Sequence, residues 1–255
     1  MEIQKKKIIV FDLDGTLAES KTILTPSMVA VLAQLCGKKK VAVISGAAFP
    51  QFEKQLLAGF IAAPKVQWEN LFLLPTCGAR FYRHKKGIWK EVYGKTLLSR
   101  EKEKIFASFA KAFLDIRYEH PQKTYGDIFE DRGTQITFSA LGQYTPLSIK
   151  NAWDPDQKKR LAIQAAVAKY IPEFEVRIGG TTSIDVTHKG IDKAYGIMQI
   201  EKLLGIPRDE ILFVGDALFE NGNDYPVKKL GVDCIAVNGP KETEKFINEW
   251  ISEKA

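Results

Sequence analysis

The stretch Lys7–Leu24, KIIVFDLDGTLAESKTIL, constrains this chain more than any other. Four consecutive apolar residues, Ile8 to Phe11, read as a strand buried on both faces, and the Asp14-Gly15 turn signal closes it. Its end carries two aspartates, Asp12 and Asp14, separated by one leucine. A carboxylate at the end of a buried strand is costly unless positive charge sits opposite. The strand therefore implies both a sheet covered on both sides and a cation beside Asp12.

The rest of the chain agrees with such a sheet. TPSMVAVLAQLCGKKK begins with a capping residue, Thr25, and has Pro26 at the first helical position and Gly37 near its end, so it reads as a helix. VAVISG, residues 41 to 46, is a second buried strand closed by Ser45-Gly46, and FPQFEKQLLAGF is a second helix. Strand, helix, strand, helix is the pattern of a parallel sheet. It returns near the end with the helix IDKAYGIMQIEKLLGI, the strand ILFVGD, a short helix DYPVKKLG, the strand DCIAV and a terminal helix. Between these blocks the character changes. SREKEKIFASFAKAF and DPDQKKRLAIQAAVAKY read as helices, and TQITFSAL and FEVRIGG alternate polar with apolar, as an antiparallel sheet does when one face packs on helices. The expectation is an α/β protein with a Rossmann-like parallel-sheet core, residues 1–87 and 187–255, and an inserted α+β domain, residues 88–186.

Composition narrows the class. The chain has 255 residues, 45% hydrophobic and 27% charged, which suffices for a large core without disulfides or a structural metal. Its three cysteines, Cys36, Cys77 and Cys234, form no CxxC pair and read as reduced thiols, pointing to the cytoplasm. No apolar run approaches the roughly 18 residues of a membrane span, so no membrane partner is expected. The net charge of +6 comes from scattered groups, Lys5-Lys6-Lys7, Lys38-Lys39-Lys40, Lys85-Lys86 and Lys158-Lys159. They lack interleaved aromatics and read as solvated surface suited to a small anionic substrate rather than nucleic acid.

Four elements at the ends of the core strands carry the chemistry, since ligands of open α/β sheets lie beyond the carboxyl ends of the strands. Asp12 and Asp14, two apart at a strand end, suit the flanks of one reactive centre, one as nucleophile and one as general acid/base, whereas a lone DxD would read as a DG turn with surface acids. Ser45 and Gly46 offer a hydroxyl and backbone N–H groups at a helix start, an anion site. Lys193 stands in the first turn of a helix, where the macrodipole disfavours a cation unless it faces an anion; Lys189 competes for that role. Asp216 ends a buried strand in FVGDALFENGNDYP, with Asn223 and Asp224 on the following loop. Asp12 and Asp216, joined by Asp224 as a further candidate, offer hard oxygen ligands of the kind Mg²⁺ takes. Such a metal and lysine suit phosphoryl transfer, where the protein supplies positioning and electrostatics. His84, His120 and His188 show no ligand spacing.

DxDGT, then a serine, then a lysine, then GD…D resembles the haloacid dehalogenase superfamily of phosphotransferases, and the insert resembles its large α/β cap, type IIB. The resemblance implies an Mg²⁺-dependent enzyme with Asp12 as the nucleophile and Asp14 as general acid/base. Asp12, Asp14 (through its backbone carbonyl) and Asp216 would hold the metal, and Ser45, Gly46 and Lys193 the phosphate. Six residues between GD and ND resemble the eukaryotic-type phosphomannomutases more than the sugar phosphatases. The similarity extends to RIGGTTSIDVTHKGIDKAYG, implying substrate contacts from Ser183 and Asp185, and to EDRGTQITFSALGQ, implying Arg132. Two further arginines of that family fall on Gln143 and Lys150, and VISGAAF carries the serine of ordinary phosphatases where the mutases tend to have glycine. Glutamine brings no charge to a second phosphate. The first expectation is therefore a phosphatase of a small phosphomonoester, a sugar phosphate, using Arg132, Lys150, Ser183 and Asp185 for recognition. The alternative is a phosphosugar mutase interconverting hexose 1- and 6-phosphates.

Overall fold

A computed structural model of the chain describes residues 5–61, 66–220 and 222–252. It divides into two compact units, Met1–Gly94 with Ile191–Ala255, and Lys95–Gly190.

The first unit is built on seven strands: β1 (Ile8–Asp12), β2 (Lys40–Ile44), β3 (Leu71–Leu74), β4 (Arg80–Lys85), β5 (Ile88–Gly94), β10 (Ile211–Gly215) and β11 (Asp233–Ala236), in the order β11-β10-β1-β2-β3-β4-β5. The four pairings from β11 to β3 are parallel, and β4 and β5 are added antiparallel. β1 is central, which explains its unbroken apolar run. Ile9 and Phe11 pack with Met28, Leu32, Ile247 and Trp250, while Ile8 and Val10 pack on the other face with Ile197, Ile200 and Val227. Both faces of a parallel strand are covered by helices, so alternation disappears. Truncating a side chain such as Phe11, with no solvent exposure, to alanine costs about 3–5 kcal/mol.

The covering helices follow the local signals. Thr25 caps Pro26–Lys38, its side chain accepting from the Met28 N–H at 3.2 Å. Gly205, in the left-handed region at φ 63°, ends Lys193–Leu204. The helix from Phe49 is regular over Phe49–Phe52, widens to a π-turn over Glu53–Leu57 and resumes at Ala58–Phe60.

Three expectations are corrected here. Residues 88–94, assigned above to the insert, form β5 and pair with β4 in the core sheet. Lys86 and Gly87 both adopt positive φ, 52° and 82°, a tight hairpin that returns the chain directly onto β4. At its other end the insert's sheet runs two residues further than assigned, to His188. Lys6 is not solvated surface. It is 4% exposed, and its ammonium reaches the Asp233 carboxylate and the Asp209 carbonyl, both at 2.5 Å.

The second unit has four antiparallel strands, β6 (Phe129–Asp131), β7 (Gln135–Ser139), β8 (Phe174–Ile178) and β9 (Ser183–His188), in the order β6-β7-β9-β8. Here alternation is clean. Ile136, Phe138, Ile184, Val186 and Val176 pack on Ile105, Phe109, Ile163 and Val167 of the helices Ser99–Asp115 and Lys158–Tyr170. The intervening residues Gln135, Thr137, Ser139, Ser183, Asp185 and Thr187 make the opposite face polar. Asp154 anchors the second of those helices, accepting from the Lys159 and Arg160 N–H groups at 3.0 Å and from Arg160 Nε at 2.8 Å.

Candidate active site

Because β2, β1 and β10 run parallel and in register, with Asp12 opposite Ile44 and Phe11 opposite Val214, the residues that follow them leave the sheet at one edge. Asp12, Ser45 and Asp216 leave from that edge. Asp12 is 3% exposed, Lys193 1% and Asp224 fully buried. The Lys193 ammonium donates to Asp12 Oδ1 at 2.7 Å and to Asp224 Oδ1 at 2.5 Å. Lys193 is the first residue of its helix, and the Asp192 side chain caps that helix by accepting from the Tyr195 N–H at 2.9 Å. The cation that the macrodipole disfavours is thus held by two buried carboxylates. They override the effect of burial and keep the lysine above its ordinary range.

Asp224 is more than the polar turn residue its sequence context suggests. Its Oδ2 accepts from the Ala217 N–H at 3.0 Å. A side chain at Gly215 would collide with that carboxylate, so the glycine of the GD pair is a packing requirement. The DG pair has the same logic. Gly15 adopts φ +82°, and a Cβ there would come within 2.5 Å of Asp216 Oδ2. Thr16 donates to Asp216 Oδ1 at 3.1 Å.

Asp12, Asp216 and Asp224 each offer an oxygen within 4.8 Å of the others. Three carboxylates against one ammonium leave an excess of two negative charges in a largely buried volume. Burial, with the neighbouring Asp224 and against the pull of Lys193, pushes the Asp12 carboxyl up to about 7. An all-oxygen set with a deficit of two positive charges fits a divalent hard cation. The Asp14 side chain is not part of this triad. Its Oδ1 accepts from the Lys21 N–H at 2.6 Å and from Gln55 Nε2 at 2.8 Å.

Ser45 and Gly46 follow β2. The Ala47 N–H donates to Ser45 Oγ at 3.1 Å, and the Cys77 N–H donates to the Ser45 carbonyl at 2.8 Å. The turn that holds this loop contains two non-glycine residues in the left-handed region, Thr76 and Cys77, with φ 49° and 56°. The three cysteines are free thiols.

The residues expected in the insert lie on or beside its polar sheet face. Ser183 and Ser139 hydroxyls are 3.1 Å apart, and Gln143 Nε2 donates to Ser139 Oγ at 3.2 Å. Lys150 Nζ donates to the Gln143 carbonyl at 3.2 Å. Thr137 Oγ1 donates to Asp185 Oδ1 at 2.7 Å. Burial raises the Asp185 carboxyl, while Arg132 and the Thr137 hydroxyl pull it down. Arg132 also pairs with Glu130 at 2.7 Å. Sequence reasoning passed over Thr16, Gln55, Glu130, Gln135, Thr137 and Ser139. For the last three the signal existed, since period-two alternation in TQITFS places them on the face that carries Ser183 and Asp185.

Residues 28–253 match the family described as eukaryotic phosphomannomutase. The chain belongs to this family. Phosphomannomutase 2 of Dictyostelium discoideum is 26% identical over 268 residues and covers all of both chains. The phosphomannomutase of Spinacia oleracea is 28% identical over 252 residues, 95% of this chain and 94% of the relative. That of Saccharomyces cerevisiae is 26% identical over 254 residues, 95% and 93%. Among solved structures, a C-terminally truncated IMP-nucleotidase of Plasmodium falciparum superposes with TM-score 0.73 at 17% identity, over 99% of this chain and 73% of that one. A haloacid dehalogenase-like hydrolase of Bacteroides thetaiotaomicron gives 0.65 at 15% identity, over 96% and 99%. These two establish the haloacid dehalogenase fold. The family match also reorders the two functional expectations: it supports the mutase over the phosphatase that the sequence reading placed first.

Proposed function

We propose that this chain is a phosphosugar mutase that moves a phosphoryl group between positions of a hexose phosphate through an aspartyl-phosphate on Asp12. The match of residues 28–253 to the phosphomannomutase family carries this reading. The buried Asp12–Lys193–Asp224 cluster supports it, because it presents a nucleophile beside a fixed cation. Asp12 attacks the phosphorus, and Asp14 protonates the departing sugar oxygen and later takes the proton from the incoming hydroxyl. Lys193, the Ser45 hydroxyl and the Gly46 N–H hold the phosphoryl oxygens as charge spreads over them. Asp12, Asp216 and the Asp14 backbone carbonyl are the proposed holders of Mg²⁺, with Asp224 beside them. When bound, the ion supplies charge neutralisation for the phosphoryl oxygens. In the insert, Arg132, Lys150, Ser183 and Asp185 are the proposed sugar-recognising side chains. The partner is a small phosphorylated substrate, and no nucleic acid is invoked.

A second reading, phosphatase activity on the same class of substrate, is favoured by one observation. Gln143, where the family resemblance places an arginine, spends its amide on the Ser139 hydroxyl and brings no charge to a second phosphate. One assay separates the two. Purified protein is given mannose or glucose 1-phosphate, Mg²⁺ and the hexose 1,6-bisphosphate, and 6-phosphate and inorganic phosphate are followed together. Isomerisation outrunning phosphate release supports the mutase, and the reverse ratio installs the phosphatase. Turnover of neither kind removes both.

A further inference from the structure

Gln55 has no place in the chemistry above, yet it is 1% exposed and touches the acid/base directly. It lies within the π-turn Glu53–Leu57, where the Ala58 N–H reaches back to the Glu53 carbonyl. Such turns are rare insertions that recur at functional sites. The wide turn has a consequence at Gln55. Its carbonyl accepts from the Leu24 N–H at 3.0 Å, so the loop that follows Asp14 is tied to the same residue as Asp14 itself. The side chain is held at both ends. Gln51 Nε2 donates to Gln55 Oε1 at 2.9 Å, and Gln55 Nε2 donates to Asp14 Oδ1 at 2.8 Å. Asp14 Oδ1 accepts, so the Gln55 amide presents its N–H₂ to it and turns its oxygen to Gln51. The second donor to Oδ1 is the Lys21 N–H at 2.6 Å, from a residue in the left-handed region at φ 60°. Both donors converge on one carboxylate oxygen, which assigns the other, Oδ2, to proton transfer.

We infer that Gln55 is a positioning residue for Asp14, part of a Gln51–Gln55–Asp14 chain that fixes the carboxyl plane and leaves Oδ2 to exchange the proton with the sugar oxygen. The inference rests on the phosphotransfer reading of the site. A buried glutamine that merely satisfied its own polar atoms would make no distinction between substrates, whereas an orienter of the general acid must. An alkyl leaving group, as in a hexose phosphate, needs protonation; an aryl leaving group, as in p-nitrophenyl phosphate, departs largely without it.

The test compares kcat/KM, which reports transfer to the enzyme, for a hexose phosphate and p-nitrophenyl phosphate in wild type, Gln55→Met, Gln55→Glu and Gln51→Leu. Since general acid catalysis contributes about 100-fold or more, Gln55→Met and Gln55→Glu are expected to lose about 10- to 100-fold on the hexose phosphate and under about 3-fold on the aryl ester. Gln51→Leu, which keeps the donor and removes its lock, falls between them and wild type. Inhibition by vanadate, a phosphate mimic, should change by less than about 3-fold, because Gln55 touches Asp14 and not the phosphoryl site. Equal losses on both substrates, or none, overturn the assignment of Gln55 while wild-type turnover keeps the site reading intact. Should Gln55→Met not fold, Gln55→Glu and Gln51→Leu decide it. A wild type that transfers from neither substrate overturns the site reading and this inference together.

Discussion

The ammonium of Lys193 lies 2.7 Å from the Asp12 carboxylate, with neither side chain more than 4% exposed. Removing one member of a buried pair leaves the other uncompensated, at a cost of about 3–5 kcal/mol. Lys193→Met leaves two buried carboxylates, Asp12 and Asp224, without their shared partner. Urea unfolding of the metal-free protein should show this loss, and Lys193→Arg should not restore activity, since a planar guanidinium cannot occupy the same point between the two carboxylates. A Lys193→Met protein as stable as wild type contradicts the charge balance described above.

Asp12→Asn should abolish turnover, by roughly three orders of magnitude or more, and leave the fold standing. It removes one negative charge from a site with two in excess, so the metal-free variant should melt no lower than wild type. Rapid-quench detection of phosphoenzyme, with calorimetry alongside, checks both halves. Near-wild-type rates would remove Asp12 as the nucleophile.

Divalent metal should stabilise the folded chain through the same cluster. At about 100 times its dissociation constant, Mg²⁺ adds about 2.7 kcal/mol, visible as a rise in melting temperature that EDTA reverses. Asp216→Ala should lose most of that rise while leaving the metal-free melting temperature close to wild type, because Asp216 is the less buried member of the triad. An equal rise in wild type and variant places the cation elsewhere.

Asp154 gives a pH dependence of definite sign. Burial alone would raise its carboxyl, but the Arg160 side chain and the Lys159 and Arg160 N–H groups hold it below the usual 3.8. The unfolded chain then binds more protons than the folded one as the medium becomes acidic. The stabilisation is present in full above pH 3.8 and disappears as pH falls through the lower folded value. Asp154→Asn should cost about 1–3 kcal/mol at pH 7, and the gap to wild type should close on acidification. Chemical denaturation at a series of pH values measures it. A gap that stays constant down to pH 3 contradicts the assignment.

Gln143→Arg should raise the ratio of isomerisation to phosphate release by at least about 3-fold, since a guanidinium brings to the insert's polar face the bidentate phosphate grip that an amide lacks. Simultaneous measurement of both products decides it.

Asp12, Ser45, Lys193 and Asp216 were legible because each interrupts a strong local pattern, an apolar strand or a helix start, with a residue that such a position disfavours. Asp224 was only half legible. Its loop reads as an ordinary polar turn, and nothing local reveals that the carboxylate folds back under Lys193. Gln55 was invisible for a different reason: a glutamine in a helix is unremarked, and the π-turn that aims it at Asp14 has no composition of its own. The assignment of residues 88–94 to the insert failed because hairpin strands of mixed polarity look alike whichever sheet receives them. Lys6 misled because a lysine beside two others reads as surface, although its long apolar stem lets the ammonium reach Asp233 from a buried backbone.

β1 and β10 are neighbours in the sheet although about 200 residues separate them, whereas all four strands of the second unit fall between Phe129 and His188. During synthesis the second unit is therefore complete in the nascent chain while the strand bearing Asp12, already beside β2, still lacks β10 on its other side. The reactive end of the molecule closes only once the ribosome has delivered Ile211–Gly215, which makes chains that stop before this strand inert however well their middle has folded.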